Sequence, residues 1–162
     1  MYTALIQTRS SSKRLKNKVL YKILDQEVFK IVYKRVLRAK LIKKVIILTT
    51  TLKADDKIVK ICKNSKIPYC RGNSLNVLKR YYDVAKFYNF NSIARITSDC
   101  PLINYKILDK GVNFFEKFQP EYASNTNPRS TPKGFSGEIF GFKALKKSFL
   151  NAKKKYQKEH VN

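Results

Sequence analysis

A cationic loop rich in hydroxyl groups follows the first apolar run of the sequence. In LIQTRSSSKRLKNKVL, residues 5–20, three consecutive serines lie between Arg9 and Arg14, and Lys18 follows shortly after. Arginine presents a planar fork of donors to phosphate oxygens, and lysine presents a compact charge. The loop contains no glycine, so it is neither a P-loop nor a dinucleotide fingerprint. Its position after a strand favours phosphate binding by side chains, and its composition also fits a solvated cationic loop.

A second polar segment, RITSDCPL, places Asp99 directly after another apolar run, with Pro101 behind it. A carboxylate exposed at the end of a strand could hold Mg²⁺, which favours one or two carboxylates together with substrate phosphate oxygens. The position of Asp99 in this segment also fits an Asx-type turn. Cys100 has no histidine near it in the sequence, so we expect a buried small residue and not a nucleophile.

Strands and helices alternate around these segments. The run Lys44–Thr50 is apolar throughout, as in a strand buried on both faces. The residues from Gln26 to Lys40 have helical apolar spacing, Asp55 falls in the first turn of the next helix, and Ser74 is expected to cap a third helix with Leu75 facing inward. The remaining predicted strands are 5–8, 67–70, 92–97, 121–124 and 136–142, and the helices are 52–65, 74–89, 105–118 and 143–156. This alternation predicts one α/β domain over residues 1–162, with a mainly parallel sheet between helices.

Ligands of such sheets bind outside the carboxyl ends of the strands. In this chain the rule selects four segments: 8–18, 50–54, 97–104 and 125–134.

The charge of the chain is unusual, with 35 basic and 11 acidic residues and a formal net charge of +24. It indicates either an anionic partner or a biased composition, since only eight of the basic residues are arginines and the lysines are spread along the whole chain. Three cysteines without a CxxC motif predict a reduced, cytoplasmic protein. We expect no secretory signal and no membrane span, because the apolar runs are short.

The polar segments together carry a family resemblance. The stretches LIQTRSSSKRLKNKVL, CRGNSLNVLKRYYDVAKFY, RITSDCPLI, SNTNPRSTPKGFSGEIFGFKAL and EHV resemble the cytidylyltransferases of the spore-coat polysaccharide type. These are related to CMP-N-acetylneuraminate and CMP-Kdo synthetases. The resemblance implies a Rossmann-like three-layer sandwich of the nucleotide-diphospho-sugar transferase type. It also implies a transferase of polysaccharide biosynthesis that uses CTP and Mg²⁺ to convert a sugar, such as a sialic acid-like one, into a CMP-sugar and pyrophosphate.

By resemblance, Arg9, Ser12, Arg14 and Lys18 bind the triphosphate, and Asp99 is the metal ligand. Lys18, Arg14 and Asp99 would be catalytic, because in-line transfer at phosphorus needs positioning and charge neutralisation and no covalent nucleophile.

The resemblance further implies that Arg71 and Arg80 approach the nucleotide. Five residues would line the sugar side: Asn125, Arg129, Gly134, Glu138 and His160. His160 also fits a frayed terminal residue.

The chain departs from the family pattern at several positions. It has Ser11 where a glycine is usual, and Lys16-Asn17 where relatives have Pro-Gly, which predicts displaced backbone donors. It ends at KEHVN, whereas relatives continue and the sialic acid and Kdo enzymes take a second metal-binding aspartate from that region. We therefore expect a domain without the family's C-terminal part.

Three hypotheses remain open from the sequence. The chain is an active CMP-sugar synthetase, a truncated non-catalytic paralogue that binds nucleotide, or a basic nucleic-acid-binding domain. No RNA-recognition signature is present, so no specific nucleic acid is expected. A homodimer is compatible with the relatives, which are often dimers.

Overall fold

The computed structural model of the chain describes residues 1–12, 15–159 and 161. The strands are β1 (Tyr2–Gln7), β2 (Lys22–Ile23), β3 (Gln26–Glu27), β4 (Ile42–Thr50), β5 (Tyr69–Gly72), β6 (Ser92–Thr97), β7 (Tyr122–Ser124) and β8 (Glu138–Gly141). The α-helices are α1 (Val28–Val36), α2 (Asp56–Asn64), α3 (Val77–Phe87), α4 (Tyr105–Phe118), α5 (Phe142–Asn151) and α6 (Lys155–Glu159). Short 3-10 turns cover Lys18–Leu20 and Lys53–Asp55.

Six strands form one sheet in the order β5-β4-β1-β6-β8-β7. The first four are mutually parallel, β8 is antiparallel to β6, and β7 is antiparallel to β8. The central strands are buried on both faces, which explains their uninterrupted apolar runs. The prediction of a mainly parallel α/β sheet is confirmed.

Helices cover both faces of the sheet and give it three layers. On one face, α1, α2 and α4 pack with Phe29, Ile58 and Val112 against the alternating side chains of the strands. On the other face, α3 and α5 pack with Tyr81 and Leu145. Among the helices of the described residues, none has both the length and the apolar character needed to cross a bilayer.

Two predicted helix starts are wrong for local reasons. The first helix begins at Val28, because Leu24 and Asp25 adopt positive φ and turn the preceding residues into the β2–β3 hairpin. The third helix is capped by Asn76, whose side chain accepts a hydrogen bond from the backbone N–H of Lys79 at 2.8 Å. Leu75 is therefore outside the helix and is 83% exposed.

The predicted basic helix 143–156 is divided into α5 and α6. The side-chain oxygen of Gln157 accepts hydrogen bonds from the backbone N–H groups of Lys153 and Lys154, at 3.1 and 2.8 Å. Gln157 lies in α6, and its side chain reaches back to these two donors before the helix, while Ala152 after α5 is extended, so the helix is interrupted between the two segments.

Candidate active site

A cleft of about 860 Å³ opens at the carboxyl end of the parallel strands. It lies between the loops that follow β1 and β6, and the start of α3 forms another wall. The residues that line it are Gln7, Arg9, Ser10, Ser11, Ser12, Lys16, Asn17, Lys18, Val19, Ala54, Ser74, Leu75, Val77, Thr97, Ser98, Asp99 and Glu159. Two of the four segments selected from the sequence, 8–18 and 97–104, therefore contribute much of the lining.

The loop after β1 is held in place by a buried carboxylate. Asp55 is fully buried, and its Oδ1 accepts hydrogen bonds from the backbone N–H of Ser10 at 2.7 Å and from the Ser10 hydroxyl at 2.6 Å. The hydroxyl of Thr50 donates to its other oxygen. Sequence reasoning assigned Asp55 only to the first turn of a helix, whereas the structure joins it to the loop after β1 and to the end of β4.

The far end of the same loop closes through a backbone hydrogen bond. The N–H of Asn17 donates to the carbonyl of Ser10 at 2.9 Å, and Asn17 has φ 57° and ψ 17°. This left-handed conformation is the one that a glycine takes most easily, and asparagine tolerates it better than most residues do. Asn17 thus takes a left-handed turn at a position where the resemblance leads us to expect glycine, and a displacement of the loop backbone stays a prediction.

Lys18 and Asp99 meet in the cleft from opposite loops. The Nζ of Lys18 forms an ion pair with Oδ2 of Asp99, and the two side chains are 29% and 37% exposed. The sequence separates these residues by 81 positions, and the adjacent parallel strands β1 and β6 bring their loops together. The cation and the acid that were singled out for phosphate and metal binding therefore lie in direct contact.

The surroundings of Asp99 favour its ionised form. Burial opposes ionisation, but hydrogen bonds from Lys18 and Thr97 outweigh it and hold the pKa of the Asp99 carboxyl below its usual value. Burial raises the pKa of the neighbouring Cys100 thiol, whose sulfur lies 3.4 Å from the Thr97 hydroxyl. The carboxylate is thus the group at this strand end that is charged at neutral pH, and the thiol remains protonated.

Arg71 and Arg80, which the resemblance places near the nucleotide, do not line the cleft. Arg71 donates to the carbonyls of Thr50 and Leu52 at 2.8 and 3.0 Å and pairs with Asp56 at 2.8 Å, so it braces the loop after β4. Arg80 is fully buried, and within the described residues its three side-chain nitrogens have no hydrogen-bond partner. A contact with nucleotide stays a prediction for both residues.

The burial of Arg80 has an electrostatic consequence. Burial lowers the pKa of its guanidinium, and the nearby positive charge of Arg9 lowers it further. The negative charge of Asp55 acts in the opposite direction. A desolvated cation thus lies close to Arg9 and Asp55, the residues that form and hold the first loop.

The residues assigned to the sugar lie on the segment between β7 and β8 and at the start of β8. The side-chain amide of Asn125 donates to Thr131 and to the carbonyl of Phe135, and its oxygen accepts from the N–H of Gly137, at 2.8–3.0 Å. It therefore fastens the loop. Arg129 is exposed, Gly134 has φ 96°, and Glu138 pairs with Arg95. Arg129, Gly134 and Glu138 do not line the cleft, and a contact with sugar stays a prediction for all four residues.

Two of the predicted site residues, Arg14 and His160, lie outside the described residues. The neighbour of His160, Glu159, lines the cleft although it is 60 positions from Asp99. Sequence reasoning missed Glu159 as well as Gln7, Arg95 and Asp55. The short terminal motif EHV was the only signal for Glu159, and the position of Gln7 at the end of the first strand was the signal for that residue.

The fold and the cleft define an α/β protein with a cation-lined cleft at the carboxyl ends of parallel strands. The chain belongs to the cytidylyltransferase family, whose family model matches residues 3–162.

Individual proteins resemble the chain in sequence or in fold. An uncharacterized protein of Methanocaldococcus jannaschii is 41% identical over 157 residues, which are 97% of this chain and 63% of the relative, so the chain spans less than two thirds of that protein. The structure of a cytidylyltransferase from Leptospira borgpetersenii has a TM-score of 0.93 at 34% identity, covering 99% of this chain and 68% of the other. A CMP-Kdo synthetase complexed with CTP has a TM-score of 0.75 at 12% identity, covering 94% of this chain and 79% of the other, and shares the fold.

Proposed function

We propose that the chain transfers CMP from CTP to a hydroxyl group of a sugar, and that pyrophosphate is released. The contact between Lys18 and Asp99 in the cleft, in a chain of the cytidylyltransferase family, carries this proposal. The resemblance to the spore-coat type favours a sialic acid-like or related surface-polysaccharide sugar. The sugar oxygen would form a bond to the α-phosphorus of CTP, the bond from that phosphorus to the bridging oxygen of pyrophosphate would break, and the hydroxyl proton would pass to water.

The cations of the first loop would bind the triphosphate. Arg9, Ser12 and Lys18 line the same cleft, and Arg14 belongs to the same loop. The hydrogen bonds of Asp55 hold this loop before ligand binds. The loop backbone therefore loses little conformational freedom on binding. Lys18 would neutralise negative charge that develops on the departing pyrophosphate.

Asp99 fits a magnesium ion that arrives with the nucleotide. The described residues contain no cluster of three or more His, Cys, Asp or Glu side chains that could bind a metal by themselves. Mg²⁺ commonly uses one or two carboxylates and completes its shell with water and phosphate oxygens, and the ionised Asp99 lies beside Lys18, which would bind the phosphates. When bound, the ion would withdraw charge from the phosphate oxygens.

The ion pair between Lys18 and Asp99 suggests that nucleotide and metal bind together. Before binding, the two opposite charges neutralise one another. A triphosphate would attract the ammonium group of Lys18 and leave the Asp99 carboxylate available to Mg²⁺. We therefore expect Mg²⁺ to bind weakly without CTP and tightly with it.

The test is release of pyrophosphate from CTP and Mg²⁺ with a panel of nine-carbon and Kdo-like sugars. Turnover with at least one sugar is the expected result. Stabilisation by CTP without turnover on any sugar would refute transfer and leave nucleotide binding as the function. Binding to random-sequence DNA that resists moderate salt and ignores CTP would instead favour the nucleic-acid hypothesis.

Variants of the two central residues test the site. Lys18→Ala and Asp99→Ala are expected to abolish detectable CTP/Mg²⁺ binding by calorimetry while the circular dichroism spectrum stays unchanged. Lys79→Ala, which removes an exposed cation paired with Asp83 on α3, is the matched control and should bind as the wild type does. Unchanged nucleotide affinity in both cleft variants would contradict the assignment.

A further inference from the structure

Three polar side chains form a chain of contacts across neighbouring strands beneath the cleft. Glu138 lies at the start of β8, Arg95 lies directly opposite it on β6, and Gln7 ends β1. The guanidinium of Arg95 donates from Nη1 to Oε1 of Glu138 at 2.5 Å and from Nη2 to Oε1 of Gln7 at 3.4 Å. The three residues share the sheet face that α3 covers.

Arg95 is held from several sides and cannot easily turn away. Its side chain is 8% exposed, and Tyr81 of α3 lies close to it while donating a hydrogen bond to the carbonyl of Leu5 at 3.1 Å. Burial alone would lower the pKa of Arg95, but Tyr81 and Glu138 outweigh burial and raise it. The guanidinium is therefore charged and fixed, and it presents donors in one direction to Gln7.

This fixed guanidinium determines how the amide of Gln7 is turned. Arginine has five N–H donors and no acceptor, so the group of Gln7 that faces it must be the carbonyl oxygen. The NH₂ group of Gln7 then points away from Arg95. Gln7 is only partly buried and lines the cleft together with Thr97, so a ligand in the cleft can reach it.

We propose that Glu138 and Arg95 orient Gln7 so that its NH₂ group binds an oxygen atom of the acceptor sugar. This inference rests on the proposed sugar transfer. Gln7 would be the residue that contacts the sugar, and Arg95 and Glu138 would be positioning residues. The resemblance placed Glu138 on the sugar side, and the structure gives it a partner, Arg95, in place of an open position in the cleft.

The location of the three residues favours the acceptor over the nucleotide. The Glu138–Arg95 pair, here called the relay, contacts Gln7 from β6 and β8. Asp55 instead holds the loop after β1 from the side of β4. The amide NH₂ group suits a hydroxyl, carbonyl or carboxylate oxygen of a sugar, and the triphosphate already has the cations of the first loop as its partners in the proposed function. A group that only donates hydrogen bonds would be rejected.

Steady-state kinetics with the sugar that gives the highest turnover test the contact. Gln7→Ala is expected to raise the acceptor KM about three- to tenfold, the loss that follows from one neutral hydrogen bond, and to leave the CTP KM within about twofold. Gln7→Glu, which keeps the shape but offers no donor, should be at least as impaired. Arg95→Lys and Glu138→Gln should change the acceptor KM in the same direction, while Lys147→Ala, an exposed control, should change neither constant.

The orientation of Gln7 can be measured without turnover. In a ¹⁵N-labelled sample, the side-chain amide signals of Gln7 are identified by their absence from Gln7→Ala. They should shift in Arg95→Lys and Glu138→Gln before any ligand is added, and in the wild type they should shift when a sugar of the panel is added with CTP. If one relay variant fails to fold, the other still gives this reading.

Each contrary result has a separate meaning. A rise in the CTP KM of Gln7→Ala with an unchanged acceptor KM would overturn the sugar contact. Side-chain amide shifts of Gln7 that are unchanged in both Arg95→Lys and Glu138→Gln would overturn the positioning role. If no sugar releases pyrophosphate, the proposed function fails, and Gln7 signals that no sugar shifts would then overturn this inference as well.

Discussion

Three aspartates with identical side chains have three different roles because their partners differ. Asp55 is fully buried and accepts hydrogen bonds from the loop after β1 and from the end of β4. Asp109 caps backbone donors, accepting from the N–H groups of Lys40 and Leu41 at 3.0 and 2.9 Å. Asp99 is partly exposed in the cleft beside Lys18. Of these three carboxylates, Asp99 is thus the one that lines the cleft and can reach a ligand there.

The pKa of Asp99 is expected to depend on Lys18. Because hydrogen bonds from Lys18 and Thr97 outweigh burial, the folded-state pKa lies below the unfolded value, so this carboxylate stabilises the fold above the unfolded pKa and the contribution is lost as the pH falls through the folded pKa. Lys18→Ala should raise the Asp99 pKa, since burial then remains with less opposition. A carboxyl ¹³C titration measures it, and an unchanged pKa in Lys18→Ala would contradict the ion pair.

Asp55→Ala is expected to weaken both the fold and nucleotide binding. The substitution leaves the buried N–H of Ser10 without its acceptor, which costs about 1–3 kcal/mol in the free energy of unfolding. The loop that carries Arg9 and Ser12 would also lose its anchor, so CTP should bind more weakly. Urea unfolding and calorimetry measure the two effects.

The neighbouring residue is the control for that substitution. Asp56 is 54% exposed and pairs with Arg71 at the surface, so Asp56→Ala should change the stability by less than about 1 kcal/mol. Equal losses in the two variants would show that the burial of Asp55 is not what matters.

At the scale of elements, the end of β5 and the side of α3 approach one another very closely. A Cβ added to Gly72 would lie 2.8 Å from Cγ of the buried Arg80. The absence of a side chain at this position therefore allows α3 to bring Arg80 beneath the first loop, where Arg9 and Asp55 act on its charge. The two residues that the resemblance connects to the nucleotide, Arg71 and Arg80, thus support the walls of the cleft by their positions.

Gly72→Ala is expected to destabilise the fold by roughly 1–3 kcal/mol, because the added methyl group must displace a buried side chain. Gly141→Ala is the matched control, since its added Cβ would meet only an ordinary contact at 3.8 Å. Denaturant midpoints with unchanged m-values measure both. A neutral Gly72→Ala would mean that Arg80 can move aside without loss.

At the scale of the whole molecule, charge repulsion opposes the compact state. With 35 basic and 11 acidic residues, most cations cannot have an acidic partner. Arg9, Lys16 and Lys18 place part of this positive charge in the cleft. The electrostatic field of the other lysines would add to the attraction of a triphosphate at low salt. Stability and ligand affinity should therefore respond to salt in opposite directions.

The unfolding temperature is expected to rise by a few degrees between about 0.05 and 0.5 M NaCl, as the screening length falls from above 10 Å to a few ångströms. Lys60→Gln/Lys63→Gln removes two exposed like charges one turn apart on α2, so this double variant should gain less from salt. Scanning calorimetry measures both proteins. A wild-type midpoint that falls with NaCl would show that ion pairs outweigh repulsion.

The sequence by itself determined the central strands, the α/β class and the two polar segments that face each other in the cleft. Buried parallel strands need long apolar runs, and such runs are visible without any partner, as at Lys44–Thr50. The helix boundaries at Gln26 and Ser74 were predicted wrongly, because a two-residue hairpin turn and a competing cap decide them locally.

Only the tertiary structure decided which polar side chains meet. Ser10 and Asp55 are 45 positions apart, and Gln7 and Arg95 are 88 positions apart, so no local spacing connects them. The order of the strands brings these residues together. Burial then raises the free-energy cost of losing each hydrogen bond, because water cannot reach the group that is left unpaired. Local pattern therefore predicts the elements, whereas the contacts that orient Gln7 and hold the first loop follow from strand order and burial.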